Sequence, residues 1–292
     1  MSVADVVDLL ACPTCTGRGL GDEPLRLDGP ALRCAQGHAY DVARQGHVNL
    51  LGRAAPRNAD TAEMVAARER FLGSGAYDAV ADALTGTVVR HTTGPVAVLD
   101  VGAGPGWYLE RVLAGLDARS AAGSVAGQPA ARGLALDVSP AAARRAARSP
   151  RPVGAVVADA WGALPVRSRA VDVVLSVFAP RHPPELARVL RPGGVAVVVS
   201  PLPEHLAGLR AAWGLLDVEP GKQERLVSTF GEHLAPLGDT DVRCTVGVDR
   251  ARVDDLVAMG PNAFHRREQA ADGAAPTQVD VAVRVSAWRR PG

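Results

Sequence analysis

From Val96 onward the chain alternates short, almost wholly apolar runs with helix-length segments, and that alternation leaves few architectures open. The apolar runs fall at Val96–Val101, Gly133–Val138, Gly154–Ala158, Val171–Val177 and Val195–Ser200. Helix-like sequence follows the first run to about Leu116, occupies Pro140–Arg148 after the second, and occupies Pro183–Leu190 before the fifth. Strands that are apolar at nearly every position are buried on both faces, the habit of parallel sheets. Strands separated by helices in one chain therefore predict an α/β, doubly wound, Rossmann-like parallel sheet. Residues 204–216 read as helical, and two late alternating stretches, Val242–Val248 and Val279–Ala287, flank a helical Val253–Met259.

Upstream the texture differs. Residues 1 to about 55 are short, turn-rich pieces containing Cys, Gly and His, and residues 56–93 are helical in pattern. There Ala59-Asp60-Thr61-Ala62-Glu63 offers a capping start, the Gly73-Ser74-Gly75 step ends the first helix, and a second runs from about Tyr77 to Val89. The reading is a small N-terminal module at 1–55, a helical connection at 56–93 and the main domain at 94–292. In 292 residues with 47% hydrophobic content there is material for a full core. No apolar run reaches the roughly 18–20 residues that cross a bilayer. The first ten residues carry two aspartates and no basic stretch, unlike a secretory signal. A soluble, cytoplasmic protein without a membrane partner is expected.

Net charge is +1, so the field of the whole chain does not advertise a nucleic-acid ligand. Locally two acid-free runs stand out, Arg44 to Arg57 with three arginines and Arg144 to Arg151 with four. Each is either a phosphate-contacting surface or a solvated face. Lys222 is the sole lysine, a bias that weakens any argument from arginine content alone.

Chemistry concentrates at the end of the first strand, in Asp100-Val101-Gly102-Ala103-Gly104-Pro105-Gly106. Glycines there let the backbone turn sharply and approach a ligand closely. The pattern is G-x-G-x-G rather than the G-x-G-x-x-G that seats a pyrophosphate, and Asp100 precedes it where a carboxylate can pair with an ammonium group. Both features favour an adenosyl cofactor, S-adenosylmethionine, over a dinucleotide. Asp137 ends the second strand, where a carboxylate can accept both ribose hydroxyls. Asp159, followed by Ala160, ends the third and can accept from an adenine amino group. The competing reading is that strand-end aspartates only cap the helices after them.

Cys12-Pro13-Thr14-Cys15 is a C-x2-C knuckle, and Cys34 with His38 completes a second pair. Three thiolates and one imidazole fit tetrahedral Zn2+, and a closed set of four makes the metal structural, since no position is left for water. His47 is the alternative ligand. A module of about 50 residues has little core of its own, so metal is expected to supply much of its folding energy. The fourth cysteine, Cys244, reads as a buried strand residue.

The run Cys34-Ala35-Gln36-Gly37-His38-Ala39-Tyr40-Asp41-Val42-Ala43-Arg44-Gln45-Gly46-His47-Val48-Asn49-Leu50-Leu51 resembles the zinc module of the bacterial 23S rRNA (guanine-N1)-methyltransferase family, which includes a tylosin-resistance branch. Similar segments follow in order: Asp60 through Met64, Gly75-Ala76-Tyr77, the glycine loop, Phe178-Ala179-Pro180, Glu185 through Gly194, and Met259-Gly260-Pro261. The resemblance implies a Class I methyltransferase domain behind the zinc module. It implies N1-methylation of a guanine in a hairpin loop of domain II of 23S rRNA, and a homodimer whose zinc modules help form an RNA cleft. It implies cofactor contacts from Tyr77, from Tyr108 and Leu109 after the glycine loop, and from His205, and it raises a macrolide-resistance role. The sequence departs from the pattern in Pro105 and Trp107, in a Gly/Ala-rich insertion at 121–132, and in lacking a histidine before Tyr77.

Phe178 lies where related folds place a target base and is a candidate to stack on it; a plain core role is the other reading. No general base is identified. Two competing functions remain at this stage: methylation of a small natural product, and RNA binding by a catalytically silent methyltransferase shell. The glycine loop suits the first equally well but the zinc module does not, and the intact Asp100 and Asp137 oppose the second.

Overall fold

The computed structural model describes residues 3–121, 131–213, 215, 221–260 and 276–292. The sequence expectation for 121–132 lies mostly outside this range, as does Pro261.

A 3-10 turn, Val3–Leu9, opens the chain, followed by a single helical turn α1 (Pro13–Gly17). Three short antiparallel strands, β1 (Arg26–Asp28), β2 (Ala31–Arg33) and β3 (Ala39–Asp41), make a small ribbon sheet. Then β4 (Val48–Asn49) leaves the ribbon and pairs with the main sheet. Helices α2 (Ala62–Gly73) and α3 (Asp78–His91) come next. Thr61 caps α2 by accepting the Met64 N–H at 3.3 Å, within the expected capping segment.

The main body continues with β5 (Val96–Val101), α4 (Trp107–Ala121), β6 (Ala131–Asp137), α5 (Pro140–Ala146), β7 (Val153–Val157), β8 (Val171–Val177), α6 (Pro183–Val189), β9 (Leu190–Pro201), α7 (Ala207–Trp213), α8 (Lys222–Gly231), β10 (Ala235–Gly247), α9 (Arg250–Ala258) and β11 (Gln278–Arg289). The eight strands order as β10-β11-β9-β8-β5-β6-β7-β4. All neighbours from β9 to β4 are parallel, while β11 is antiparallel to both β9 and β10. The chain thus reverses direction of travel at β5, and the carboxyl ends of β5, β6, β7 and β8 open onto a crevice.

Alternation along each central strand divides the core in two. In β5, Val96 and Val98 join the cluster beneath α3 and α4, whereas Ala97, Leu99 and Val101 join the cluster on the opposite face. That second cluster contains Val3, Val6, Leu9, Cys12 and Cys15 together with Leu134, Leu136 and Val156 of the sheet. The zinc module therefore does not stand apart with a poor core; it borrows the sheet's. The cause is legible in the β7–β8 crossover, Asp159-Ala160-Trp161-Gly162-Ala163-Leu164-Pro165-Val166, which forms no helix. The face a crossover helix would cover is taken by Val3–Leu9, held by Ala11 N–H to Pro165 O and Arg167 N–H to Leu9 O at 3.1 and 2.8 Å.

A side chain at Gly154 would place its Cβ 2.2 Å from Val6 Cγ2. Gly154→Ala should overpack this seam and lower stability by about 1–3 kcal/mol, with a matching loss of hydrogen-exchange protection in residues 3–9. Unchanged protection there would refute the seam.

Helix α8 has no counterpart in the sequence reading. One expectation needs correction: Cys244 is half-buried rather than buried, because β10 is the outermost strand. Among the described residues no helix is long and apolar enough to cross a membrane.

Candidate functional site: a zinc centre and a cofactor crevice

The metal centre forms as the spacing requires. Cys12 and Cys15 sit at the start of α1, Cys34 follows β2, and His38 precedes β3. Their ligand atoms all lie within 4.8 Å of one another. His38 Nδ1 stands 3.5, 3.3 and 3.4 Å from the sulfurs of Cys12, Cys15 and Cys34. Edges of that length surround a tetrahedral ion bound through thiolates at ~2.3 Å and imidazole at ~2.0 Å, so the residues fit Zn2+, with Nδ1 as the imidazole ligand. Tyr40 places its hydroxyl 3.3 Å from Cys12 Sγ while receiving the Thr14 hydroxyl at 2.7 Å, a donor that steadies one thiolate. His47 is not part of this group; it lies beside Arg144, and burial followed by that charge lowers its pKa.

At the end of β5 the chain turns through Gly102, Gly104 and Gly106, all with positive φ. Gly102 also faces a close neighbour, since a Cβ there would lie 2.5 Å from Ala179 Cβ. Gly102→Ala is therefore expected to cost about 1–3 kcal/mol in strain and to weaken cofactor binding. Calorimetry and melting read both effects, and a variant with unaltered affinity would contradict the role given to this turn.

The turn forms the floor of two adjoining cavities. One, of 270 Å³, is lined by Tyr77, Asp100, Gly102, Gly104, Tyr108, Phe178 and His205 among others. The second, of 390 Å³, is lined by Gly102, Asp137, Asp159, Ala160, Trp161 and Phe178 among others. Most of the expected site residues thus come together. Gly106 and Leu109 do not reach either cavity. Gly106 packs towards Ala146, and Leu109 is fully buried under Gly133, so both support the turn from behind.

Asp100 is the centre of the electrostatics. It is buried, its Oδ1 has no hydrogen-bond partner, and burial, reinforced by the Asp137 charge, pushes its pKa up to about 8. The Tyr108 hydroxyl, lining the same cavity, is also buried without a partner. Buried polar atoms are almost always satisfied, and two orphans facing one cavity fit the charged methionine end of a cofactor. Asp137 and Asp159 behave differently. Asp137 accepts from Gly104 N–H and Ser139 N–H, each at 2.8 Å. Asp159 accepts from Trp161 N–H at 2.9 Å and from the Arg53 guanidinium at 2.6 Å. Neither caps a helix, since Ser139 caps α5 and no helix follows Asp159; each closes a turn at its strand end and stands in the cavity wall.

Above the turn, Ala282 N–H donates to His205 Nδ1 at 3.2 Å, and His205 Nε2 lies 3.3 Å from the Tyr77 hydroxyl. A backbone amide can only donate, so Nδ1 accepts and the ring hydrogen is on Nε2. Burial and then Arg210 lower the His205 pKa to about 4, so the ring is neutral at pH 7. Phe178 stacks on this imidazole at 5.8 Å and 20°, with φ of 53° and 40% exposure. A positive φ at a bulky residue marks strain held by its surroundings, and such exposure excludes a plain core role.

Arg53, Arg68 and Trp161 line the cavities unforeseen. Arg68 carried the readable signal: it interrupts the buried stripe Met64, Val65, Ala67, Phe71 and Leu72 of α2. It pairs with Asp60 and bonds the carbonyl of Met259.

Comparison with known proteins agrees with this division. Residues 10–53 match a zinc-ribbon family described as RlmA, N-terminal, and residues 99–198 match the methyltransferase domain family. The 23S rRNA (guanine(748)-N(1))-methyltransferase of Streptomyces fradiae is 42% identical over 264 residues, covering 90% of this chain and 88% of its own. The chain belongs to the 23S rRNA (guanine-N1)-methyltransferase family. A Micromonospora griseorubida protein provisionally named for the same reaction is 41% identical, with 98% of each chain covered. The family membership makes the main body an S-adenosylmethionine-dependent methyltransferase domain and the Cys3His group the metal centre of a zinc ribbon. Among solved structures, a chain of the Haloferax volcanii complex of the Trm112 activator with its methyltransferase aligns with a TM-score of 0.50 at 16% identity, over 80% of this chain and 99% of that one. That likeness concerns the fold alone.

Proposed function

We propose that this protein transfers a methyl group from S-adenosylmethionine to N1 of a guanine in a domain II hairpin loop of 23S rRNA. The observation that carries the reading is that an orphaned, buried Asp100 and an exposed, strained Phe178 line one cavity. The cofactor supplies, when bound, an electrophilic methyl on a sulfonium that departs as a neutral thioether.

The chain's own residues do the rest. Asp100 holds the ammonium of the methionine end, Tyr108 bonds beside it, and Tyr77, receiving the His205 Nε2 hydrogen, turns its own hydrogen to the ligand. Gly102 and Gly104 admit the backbone to close contact, while Asp137 and Asp159, with Ala160, line the adenosine side. Phe178 offers its ring to the target guanine, whose capture from a loop costs little unstacking. Guanine N1 carries a proton at neutral pH. His205 cannot take it, because Nδ1 is engaged by Ala282 and Nε2 already bears hydrogen; the proton leaves towards water at the open mouth. Alignment supplies most of the rate gain.

Residues 1–55 serve as a zinc module and 56–93 as the helical wall joining it to the catalytic body at 94–292. The family resemblance supports a homodimer with its zinc modules flanking the RNA, a cytoplasmic site of action, and tolerance to macrolides of the tylosin type. Methylation at N1 blocks the pairing edge of the base, so primer extension on rRNA from an expressing, sensitive host should stop beside one guanine of the domain II hairpin while macrolide tolerance rises. A stop without tolerance would remove the resistance role, and a stop elsewhere would remove the hairpin.

A further inference from the structure

The two acid-free arginine runs are some ninety residues apart in sequence, yet the fold brings them close to α5. The turn between β3 and β4, closed by Ala43 N–H to His47 O at 2.8 Å, carries Arg44. His47 of that turn feels the positive charge of Arg144 on α5. At the other end of α5 its capping residue Ser139 donates to Asp60 O at 2.6 Å, which anchors the segment containing Arg57. The β3–β4 turn of the zinc ribbon thus lies near Arg144, and the segment after the ribbon is tied to the start of α5.

Many arginines of this chain pair with a carboxylate, including others in these two runs. Arg145 pairs with Glu69, and Arg151 with Asp117. Arg44, Arg57, Arg144 and Arg148 are exposed and have no carboxylate partner among the described residues. Arg144 lies in the last turn of α5 and Arg148 just past its C-cap Ala147, so both exposed charges stand at the carboxyl end of the helix. The neighbours of Arg57 in sequence, Pro56 and Asn58, line the cavity that holds Asp137 and Asp159, so the basic surface reaches the rim of the site.

We propose that Arg44, Arg57, Arg144 and Arg148 form one phosphate-binding surface, shared between the zinc ribbon, the segment that follows it and the carboxyl end of α5, that holds the RNA backbone while a base enters the crevice. The surface rests on the rRNA reading for its ligand. Contacts of this kind position the strand and carry no sequence information, and each phosphate neutralised releases counterions.

The test uses zinc-loaded, full-length protein and an in vitro transcript of 23S rRNA, with filter binding measured across a salt series. Arg144→Gln with Arg148→Gln, and separately Arg44→Gln with Arg57→Gln, should weaken binding at least about tenfold and flatten the slope of log affinity against log salt by about 0.7–0.9 per lost contact. Affinity for S-adenosylhomocysteine and the melting temperature should not move, and Arg144→Lys with Arg148→Lys should keep the slope. An unchanged slope in both glutamine pairs overturns the surface. If the slope flattens although the wild type transfers no methyl to the transcript, the surface stands and the functional reading falls. If the wild type methylates the transcript and the variants keep its slope, the surface alone falls.

Discussion

Asp100→Asn should weaken binding of S-adenosylmethionine by roughly 10²–10³-fold while leaving the unliganded protein at least as stable as the wild type. Removing one partner of a buried charge pair costs about 3–5 kcal/mol, and the lower part of that range, about 3–4 kcal/mol, is two to three decades in affinity. The unliganded protein meets no such loss, because Oδ1 of Asp100 has no partner to lose. The sign of the pH effect follows from the same burial. The carboxyl normally titrates at 3.8 but in the fold only at about 8. The folded state therefore holds a proton that the unfolded state has released between these values, and unliganded stability falls as pH rises from about 4 to about 8. The cofactor's ammonium needs the ionised carboxylate, so affinity should rise with pH by up to about tenfold per unit below pH 8 and level off above it. Calorimetry across pH 6 to 9 checks both. An affinity independent of pH, or an Asn variant binding as tightly as the wild type, would contradict the place given to Asp100.

Loss of the zinc should be the more damaging change to the fold. Cys15 is fully buried, and its cluster is continuous with Leu134 and Val156 of the central sheet. Cys15→Ser, or chelation of the native protein, should lower stability by ~4 kcal/mol or more and the melting temperature by about 10 °C. The damage should also spread beyond the ribbon. β4 pairs with β7, and Arg53 beyond it reaches Asp159 in the cavity wall, so cofactor affinity should fall with the metal. Melting and calorimetry on metal-free protein measure the two losses. A ribbon that unfolds alone, with the crevice and its affinity intact, would show that the shared core is not cooperative.

These two sites also show what the residues disclose unaided. The strand-end carboxylates, the glycine turn and the Cys3His spacing are local patterns, each set by a strand end or a short loop, and they read directly. Shared burial is not local. Nothing in Val3, Val6 and Leu9 says that they cover the face left bare by a crossover without a helix. Only the pairing of their turn with Pro165 and Arg167 shows it. The strand-end places of Asp137 and Asp159 are legible, but the Arg53 partner of Asp159 is not, since it comes from 106 residues away. The same holds for Tyr77 and His205, joined across 128 residues. Their place in the site came from family likeness, and the tautomer that excludes His205 as a base needed the amide of Ala282.

The most direct test is methyl transfer from labelled S-adenosylmethionine to unmodified 23S rRNA, followed by digestion and nucleoside analysis. The expected result is label in N1-methylguanosine alone, lost in Asp100→Asn. Label in any other nucleoside, or none in rRNA from protein that binds the cofactor, would contradict the assignment of this crevice to guanine N1.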